Sequence, residues 1–348
     1  MAKKIIDVAA LSQAAIKYDS VLRTLPYFTL EEVAKSLRLN IQLVENEHVI
    51  VNKRRLAGGT GPYKQGMTID YKEEIAKFFE SSLKPELTVC KTKDNIQNYK
   101  EKYVLVVAGN PLDQKSKKHP LERMIIESEV ISHGEDVAFS LFFAERDEDV
   151  FSPMTAFTGF FPAMDMLVAE GYIAVSEKNM QTTGTFRPNP TDATEYDKLV
   201  DFIGLSHPLL RSSAHGLPQL MSAQSVMKSV RDSLRKKLNL LEYPTMQRTI
   251  EHLREDSFCP GLVWDTHESL GTGSKLVFQK AGNMDIGMNT GRSDKFMRVR
   301  DPFEDPNEVQ FWLQAAYGVR IQDVHQKKFK TNEQENIGAD LAGDYVAP

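Results

Sequence analysis

A chain of 348 residues, 41% hydrophobic and 26% charged, is long enough for two or three compact lobes and apolar enough to fill their cores, which excludes a disordered chain. Its net charge of -5 excludes a dedicated reader of DNA sequence, whose field would be strongly positive. Two cysteines, Cys90 and Cys259, stand far apart without CxxC spacing, which argues against a disulfide framework or a zinc site and fits a reducing cytoplasm.

The first 40 residues read as two helical pieces broken at Pro26, because Val8, Leu11, Ala15 and Ile16 recur at helical spacing, as do Leu30, Val33, Ala34 and Leu37. Thr29 with Glu32 three residues on has the form of a capping box. Asp7, Gln13 and Lys17 interrupt the apolar run, so no secretion signal is expected. Nowhere do about 18 apolar residues follow one another, the length a membrane span needs. From Ile41 to Val51 the sequence alternates loosely and then reaches LAGGTGPYKQG (residues 56–66), whose glycines and proline suit a hairpin tip or long loop. Between Glu47 and Lys118 there are 14 lysines and arginines against 9 acids, a balance of +5 that leaves -10 for the rest of the chain.

KYVLVVA (residues 102–108) is a short β-branched run expected to be a buried strand. His119 to Arg146 predicts one long helix, with Pro120 and Glu122 in its first turn and Leu121, Ile125, Ile131, Ala138 and Phe142 roughly on one face. At about 1.5 Å per residue it would be roughly 40 Å long. A short helix around Ala163 to Glu170 and then strands follow, and RPNPTDAT (residues 187–194) marks a lobe boundary. Beyond it Thr194 to Gly204, Pro218 to Leu238 and Pro244 to Glu255 are helical by pattern, while GLVWDT and SKLVFQK flank a turn-rich ESLGTG that suits a hairpin. The last apolar block is strand-like near Phe296 to Val299, turns through DPFEDP and becomes apolar again, with Phe311, Trp312, Ala315 and Tyr317 as expected core.

No catalytic constellation emerges. GGTGPYKQG lacks the GK[ST] ending of a phosphate cradle, the eight histidines form no HExxH or ligand cluster, GxSxG is absent, and no cation adjoins Cys259 in the sequence. Neither a cofactor nor a metal is expected. The lysines of residues 47–118 are interleaved with acids and have few aromatic neighbours, so contact with an acidic surface of another subunit fits them better than nucleic-acid binding.

The block from Phe296 to Asn332, above all DPFEDPNEVQFWLQAAYGVRIQDVHQKKF, resembles the C-terminal portion of tailed-phage major capsid proteins of the Hong Kong 97-type fold. The order of the other elements agrees with that family. The resemblance implies an α+β chain with an N-terminal arm (1–45) and an extended β-hairpin loop with flanking strands (46–108). It further implies a peripheral domain (109–190) with its spine helix at 119–146, an α/β axial domain (191–290), and a return to the peripheral domain with a C-terminal tail (291–348). It implies a non-enzymatic subunit of the virion capsid, assembled in the bacterial host cytoplasm. That subunit would form hexamers and pentamers that close an icosahedral shell around double-stranded DNA without reading its sequence and without a membrane. Portal and scaffolding or decoration proteins are the other partners it implies. Lys53, Arg54, Arg55, Lys64, Arg320, Lys327, Lys328 and Lys330 are the candidate contacts between subunits. The rival readings are a tail or baseplate component, an encapsulin-type compartment, and a cytoplasmic enzyme whose site is dispersed in sequence.

Overall fold

The computed structural model describes residues 8–55, 76–95, 121–290, 296–300 and 308–338. Three N-terminal helices, α1 (Val8–Lys17), α2 (Asp19–Leu22) and α3 (Leu25–Leu37), precede strands β1 (Asn40–Leu43), β2 (His48–Arg55), β3 (Ala76–Leu83) and β4 (Glu86–Asn95). Helices α4 (Leu121–Ser140) and α5 (Phe160–Ala169) come next, then β5 (Met180–Gln181), α6 (Thr194–Gly204) and α7 (Pro208–Arg211). Strand β6 (Pro218–Ser222), α8 (Gln224–Lys237) and α9 (Met246–Asp256) lead into β7 (Val263–Asp265), β8 (Thr272–Gly273), β9 (Leu276–Lys280) and β10 (Met284–Asn289). Strands β11 (Met297–Arg300), β12 (Glu308–Ile321), β13 (Phe329–Asn332) and β14 (Asn336–Ile337) complete the described chain.

One five-stranded sheet is organised by β12, which is 14 residues long. Its length lets it pair with β4 along Glu308 to Tyr317 on one edge, and with β11 and then β10 on the other. Strand alternation sends Val309, Phe311, Leu313, Ala315 and Tyr317 inward. They join α4 residues Ile125, Ile126 and Val130 in one apolar core. Trp312 faces the other way and lies between Lys91, 4.5 Å from its ring centroid, and Arg300, at 5.8 Å. That stacking uses the positive edges of β4 and β11 to cover an aromatic face. Gly318 is where the β3–β4 link crosses β12, and a Cβ there would come within 2.9 Å of the Lys84 carbonyl oxygen.

The N-terminal helices are part of this core. Leu11, Ala15, Leu22, Leu30, Val33, Ala34 and Leu37 are buried with the α4 and β12 side chains, so the expected N-terminal arm is, over residues 11–37, a packed layer. Pro26 does not break the helical run: it occupies the first turn of α3, where a missing N–H breaks no hydrogen bond, and the interruption falls at Arg23 and Thr24. Thr29 therefore lies inside α3 and its hydroxyl bonds back to Leu25 O at 3.4 Å, so it caps nothing. Helix α4 ends at Ser140, short of the predicted Arg146. The buried Leu141, Phe142 and Ala144 turn away from its axis, and their carbonyls accept Phe160 N, Phe161 N and Gly159 N at 3.1, 2.9 and 2.6 Å. The start of α5 thus supplies the donors that a longer helix would have supplied.

The second five-stranded sheet has the order β5-β13-β9-β6-β7. It carries a separate core of Tyr196, Leu199, Phe202, Ile203, Leu220, Val226, Val230, Trp264 and Phe278 with their neighbours. Two expectations fail here for one reason. Pro218 to Ser222 is a fully buried strand and not the start of a helix, and it runs between β7 and β9, which therefore form no hairpin. Proline is tolerated as the first residue of such a strand. Sheet membership also cuts across the expected boundary at 290, since β10 pairs in the first sheet and β13, from the end of the chain, in the second. The loop 56–66, the run 102–108, Lys64, and the turn 301–306 lie outside the described residues.

Candidate assembly surfaces

Strands β2 and β3 form a two-stranded ribbon outside both large sheets, with Val49 opposite Ser82, Val51 opposite Glu80 and Lys53 opposite Phe78. Its two faces differ. On one, Phe79, Ser81 and Leu83 are buried: Phe79 meets Tyr172 edge to face at 5.2 Å, and Ser81 Oγ donates to Ile321 O at 2.6 Å. Asn52 Nδ2 adds a bond to Gln322 O at 2.6 Å. The opposite face leaves Val49, Val51 and Phe78 exposed, Phe78 to 65%. Isolated two-stranded ribbons are marginal in water, so this one holds its direction through these anchors to the body.

The expected contact residues divide. Lys53, Arg54 and Arg55 are the last residues of β2 and directly follow the anchored Asn52. Lys327 and Lys328 are exposed, Lys328 pairing with Asp323 at 3.6 Å. Arg320 and Lys330 are not surface residues at all. Arg320 lies directly across from Asp285 in the β10–β12 pairing, donates Nε to Oδ2 of that carboxylate at 3.0 Å, forms a second bond to the same oxygen through Nη2, and gives Nη1 to His48 O at 2.8 Å. Lys330 donates Nζ to Gln181 Oε1 at 2.5 Å and to Phe202 O at 2.7 Å, 4.8 Å from the Phe202 ring centroid. Burial, with Arg211 nearby, pushes its pKa down to about 8. Both charges are satisfied within the chain, which removes them from the candidate contacts.

A cleft of about 600 Å³ was not foreseen. One wall is β4 from Leu87 to Thr92, a second is the α4 flank with His133, Asp136 and Val137, and the third is the loop from Arg146 to Ala156. Thr92 Oγ1 donates to Glu129 Oε2 at 2.6 Å, tying strand to helix at one end. Glu86 closes the other end by accepting Thr158 N at 2.8 Å, with Arg146 4.0 Å away. Leu87, Val150 and Phe151 stand exposed on the rim. Arg146 pairs with Glu148 at 3.0 Å, whereas among the described residues no cation pairs with Asp136, Asp147 or Asp149. Burial, and then repulsion from Glu135, pushes Asp136 up to about 6. Burial likewise lowers His133 to about 4 and raises Cys90 to about 11, leaving an uncharged imidazole and an inert thiol. In the sequence the sole trace of this site was DEDVF at residues 147–151, which reads as a solvated turn until β4 and α4 are brought beside it.

Among the described residues no group of three or more His, Cys, Asp or Glu is placed to hold a metal ion, and no helix is long and apolar enough to cross a membrane. No protein-family model matches the sequence, and no curated protein matches it. Solved structures do. A chain of the satellite phage P4 procapsid, solved with its size determination protein, is similar over 88% of this chain and 90% of its own, with a TM-score of 0.53 at 11% identity. The fold is that of phage capsid subunits. A chain from the capsid of the Myoviridae phage XM1 agrees, covering 86% of this chain and 90% of its own with a TM-score of 0.50 at 7% identity. Within that fold the ribbon and the cleft are two surfaces of the described chain that combine a defined shape with exposed apolar side chains.

Proposed function

We propose that this chain is the major capsid subunit of a tailed bacteriophage, of the Hong Kong 97 type, and that it assembles as hexamers and pentamers into an icosahedral shell around double-stranded DNA. The observation that carries this reading is the fold likeness over 88% of this chain and 90% of the procapsid chain. The ribbon supports it: a two-stranded element with an exposed apolar face has a purpose in a subunit that overlaps its neighbours. On this reading α1 to α3 with residues 1–45 are the N-terminal region, residues 46–108 the extended loop, α4 the spine, and the β5-β13-β9-β6-β7 sheet with α6 to α9 the axial domain. Lys53, Arg54, Arg55, Lys64, Lys327 and Lys328 remain the proposed cationic contacts between subunits. The role is structural and non-enzymatic, its site is the virion, and assembly takes place in the host cytoplasm. DNA is held by enclosure, as suits a net charge of -5, and portal and scaffolding or decoration proteins complete the particle. Negative-stain microscopy of the purified chain over a range of concentrations tests the proposal. Shells, rings or sheets are expected, and single subunits at every concentration would overturn it.

A further inference from the structure

We infer that the small cavity between α5, the turn after α4 and the start of β9 is a binding site for a free α-amino acid with a small side chain. The inference goes beyond the shell reading and does not depend on it. Charge, size and rigidity lead there in turn.

Lys275, the residue before β9, is only 6% exposed. Its backbone N–H donates to Asn336 Oδ1 at 2.8 Å, but among the described residues its side-chain nitrogen makes no hydrogen bond or ion pair. A buried amine without an acceptor costs free energy, so such groups meet a partner in the space they face. Lys275 lines a cavity of about 120 Å³. The two carboxylates that attract it most, Asp165 and then Glu335, line the same cavity, and neither comes close enough to pair with it. Both are exposed, and among the described residues neither has a cationic partner of its own. Opposite charges therefore stand on two sides of one space without touching, the amine at the floor and the carboxylates at the mouth. A lone anion is repelled by the carboxylates and a lone cation by Lys275, whereas a zwitterion satisfies both.

Size narrows the class. Phe161 and Pro162 from the first turn of α5 and Phe143 from the turn after α4 make the walls, and the two phenylalanine rings meet edge to face at 5.1 Å. Drug-sized ligands occupy about 300–1,000 Å³, so this space admits only a few heavy atoms. An amino acid the size of alanine suits that limit. Its carboxylate accepts from Lys275, its ammonium lies between Asp165 and Glu335 near the aromatic wall, and its methyl group meets Phe143, Phe161 and Pro162.

The walls are preformed. Gly271 and Gly338 approach the Phe143 ring so closely that a Cβ on either would come within 2.9 Å of it, one at Cζ and the other at Cγ, which clamps the ring at both ends. Asn336 is fixed by Lys275 N on Oδ1 and by its own bond to Leu270 O at 2.8 Å. A site that is ordered beforehand pays little to bind, which a ligand with so few contacts requires. The occupant joins α5, which belongs to the first core, to Lys275, which leads into the second sheet, so binding acts as a clip between the two.

Thermal unfolding of the full chain with glycine, L-alanine and L-serine tests this. At least one of them is expected to raise the midpoint saturably, by about 2 °C or more at about a hundred times its Kd. Propionate and ethylamine, which each carry one of the two charges of alanine, are expected to bind at least about tenfold more weakly than the best of the three. Asp165→Asn combined with Glu335→Gln changes two exposed side chains, so this variant is expected to fold and to bind at least about tenfold more weakly, while Lys275→Met is expected to abolish binding. If Lys275→Met does not fold, the Asp165 and Glu335 variant decides alone. An equal shift with propionate or ethylamine, a shift that persists in the Asp165 and Glu335 variant, or no saturable shift with any of the three amino acids overturns the proposal. A rise that never saturates and is equal in wild type and variant is the general effect of an excluded osmolyte, and overturns it too.

Discussion

Arg320 and Asp285 sit directly opposite each other on β12 and β10, and the Asp285 carboxylate takes a ligand on each oxygen: Arg320 on Oδ2, and Gln322 and Asn40 on Oδ1 at 2.7 and 3.2 Å. Through Arg320 Nη1 and His48 O the pair also holds the first residue of the ribbon strand. A buried pair this well satisfied is costly to break from one side, because the remaining charge is left without a partner. Asp285→Ala is expected to lower stability by about 3–5 kcal/mol in urea unfolding, and Asp285→Leu combined with Arg320→Met by much less. Equal losses in the single and double variants would refute the pairing as the source of the effect.

Lys330 gives the fold a pH dependence above neutrality. Folding lowers its pKa from 10.5 to about 8, so between those values the unfolded chain binds a proton that the folded chain has shed. Stability contributed by this group therefore rises as pH climbs from about 8 to 10.5. The difference in urea midpoint between the wild-type chain and Lys330→Met should grow across that window and stay level between pH 6 and pH 7, and a flat difference throughout would contradict it.

Asp136 acts in the opposite direction at acid pH. Its pKa rises from 3.8 to about 6 on folding, so the folded chain holds the proton over an interval in which the unfolded chain has lost it. Stability contributed by this group is thus present below 3.8 and is lost as pH rises through about 6. Asp136→Asn should remove that fall, so the variant gains on the wild type between pH 4 and pH 6.5 in the same unfolding assay.

Two glycine substitutions should differ in sign or size. Gly318→Ala brings a methyl group within 2.9 Å of the Lys84 carbonyl oxygen and 3.2 Å of Pro85 Cα, both backbone atoms. A loss of about 1–3 kcal/mol is expected, the usual cost of overpacking. Gly204→Ala, at the end of α6, meets nothing within 4 Å and should be neutral or stabilising by up to about 1 kcal/mol. Thermal unfolding of the pair separates close packing at Gly318 from a general effect of the added methyl.

What could be read from the sequence depended on range. Helix α6 and the body of α4 follow from local periodicity, and the block after DPFEDP was legible as apolar but not as the long strand β12, whose Trp312, expected in the core, faces away from it. The end of α4 was misplaced because Leu141, Phe142 and Phe143 continue the apolar pattern, while the donors that stop the helix come from Gly159 to Phe161. Strand β6 reads as the start of α8 because PQLMS has no alternation: it is buried on both faces, and its partners β7 and β9 lie more than 40 residues away. Separation along the chain also hid Arg320 and Lys330, whose partners lie 35 or more residues away. Each looks like an ordinary surface cation until Asp285, or Gln181 and Phe202, is brought to it by the sheet. The cleft was illegible for the same reason, being made of a strand, a helix and a loop whose side chains are not near neighbours in sequence.

The place of β12 near the end of the chain has a consequence during synthesis. Strands β1, β4, β10 and β11 all precede it, and in the first sheet β4 and β11 pair only through it among the described residues. Until residue 321 has left the ribosome, those edges have no central strand, and β9 waits equally for β13. A chain released early thus lacks the scaffold that aims its ribbon and braces its cleft. Completion of the polypeptide is therefore itself the step that closes both large sheets.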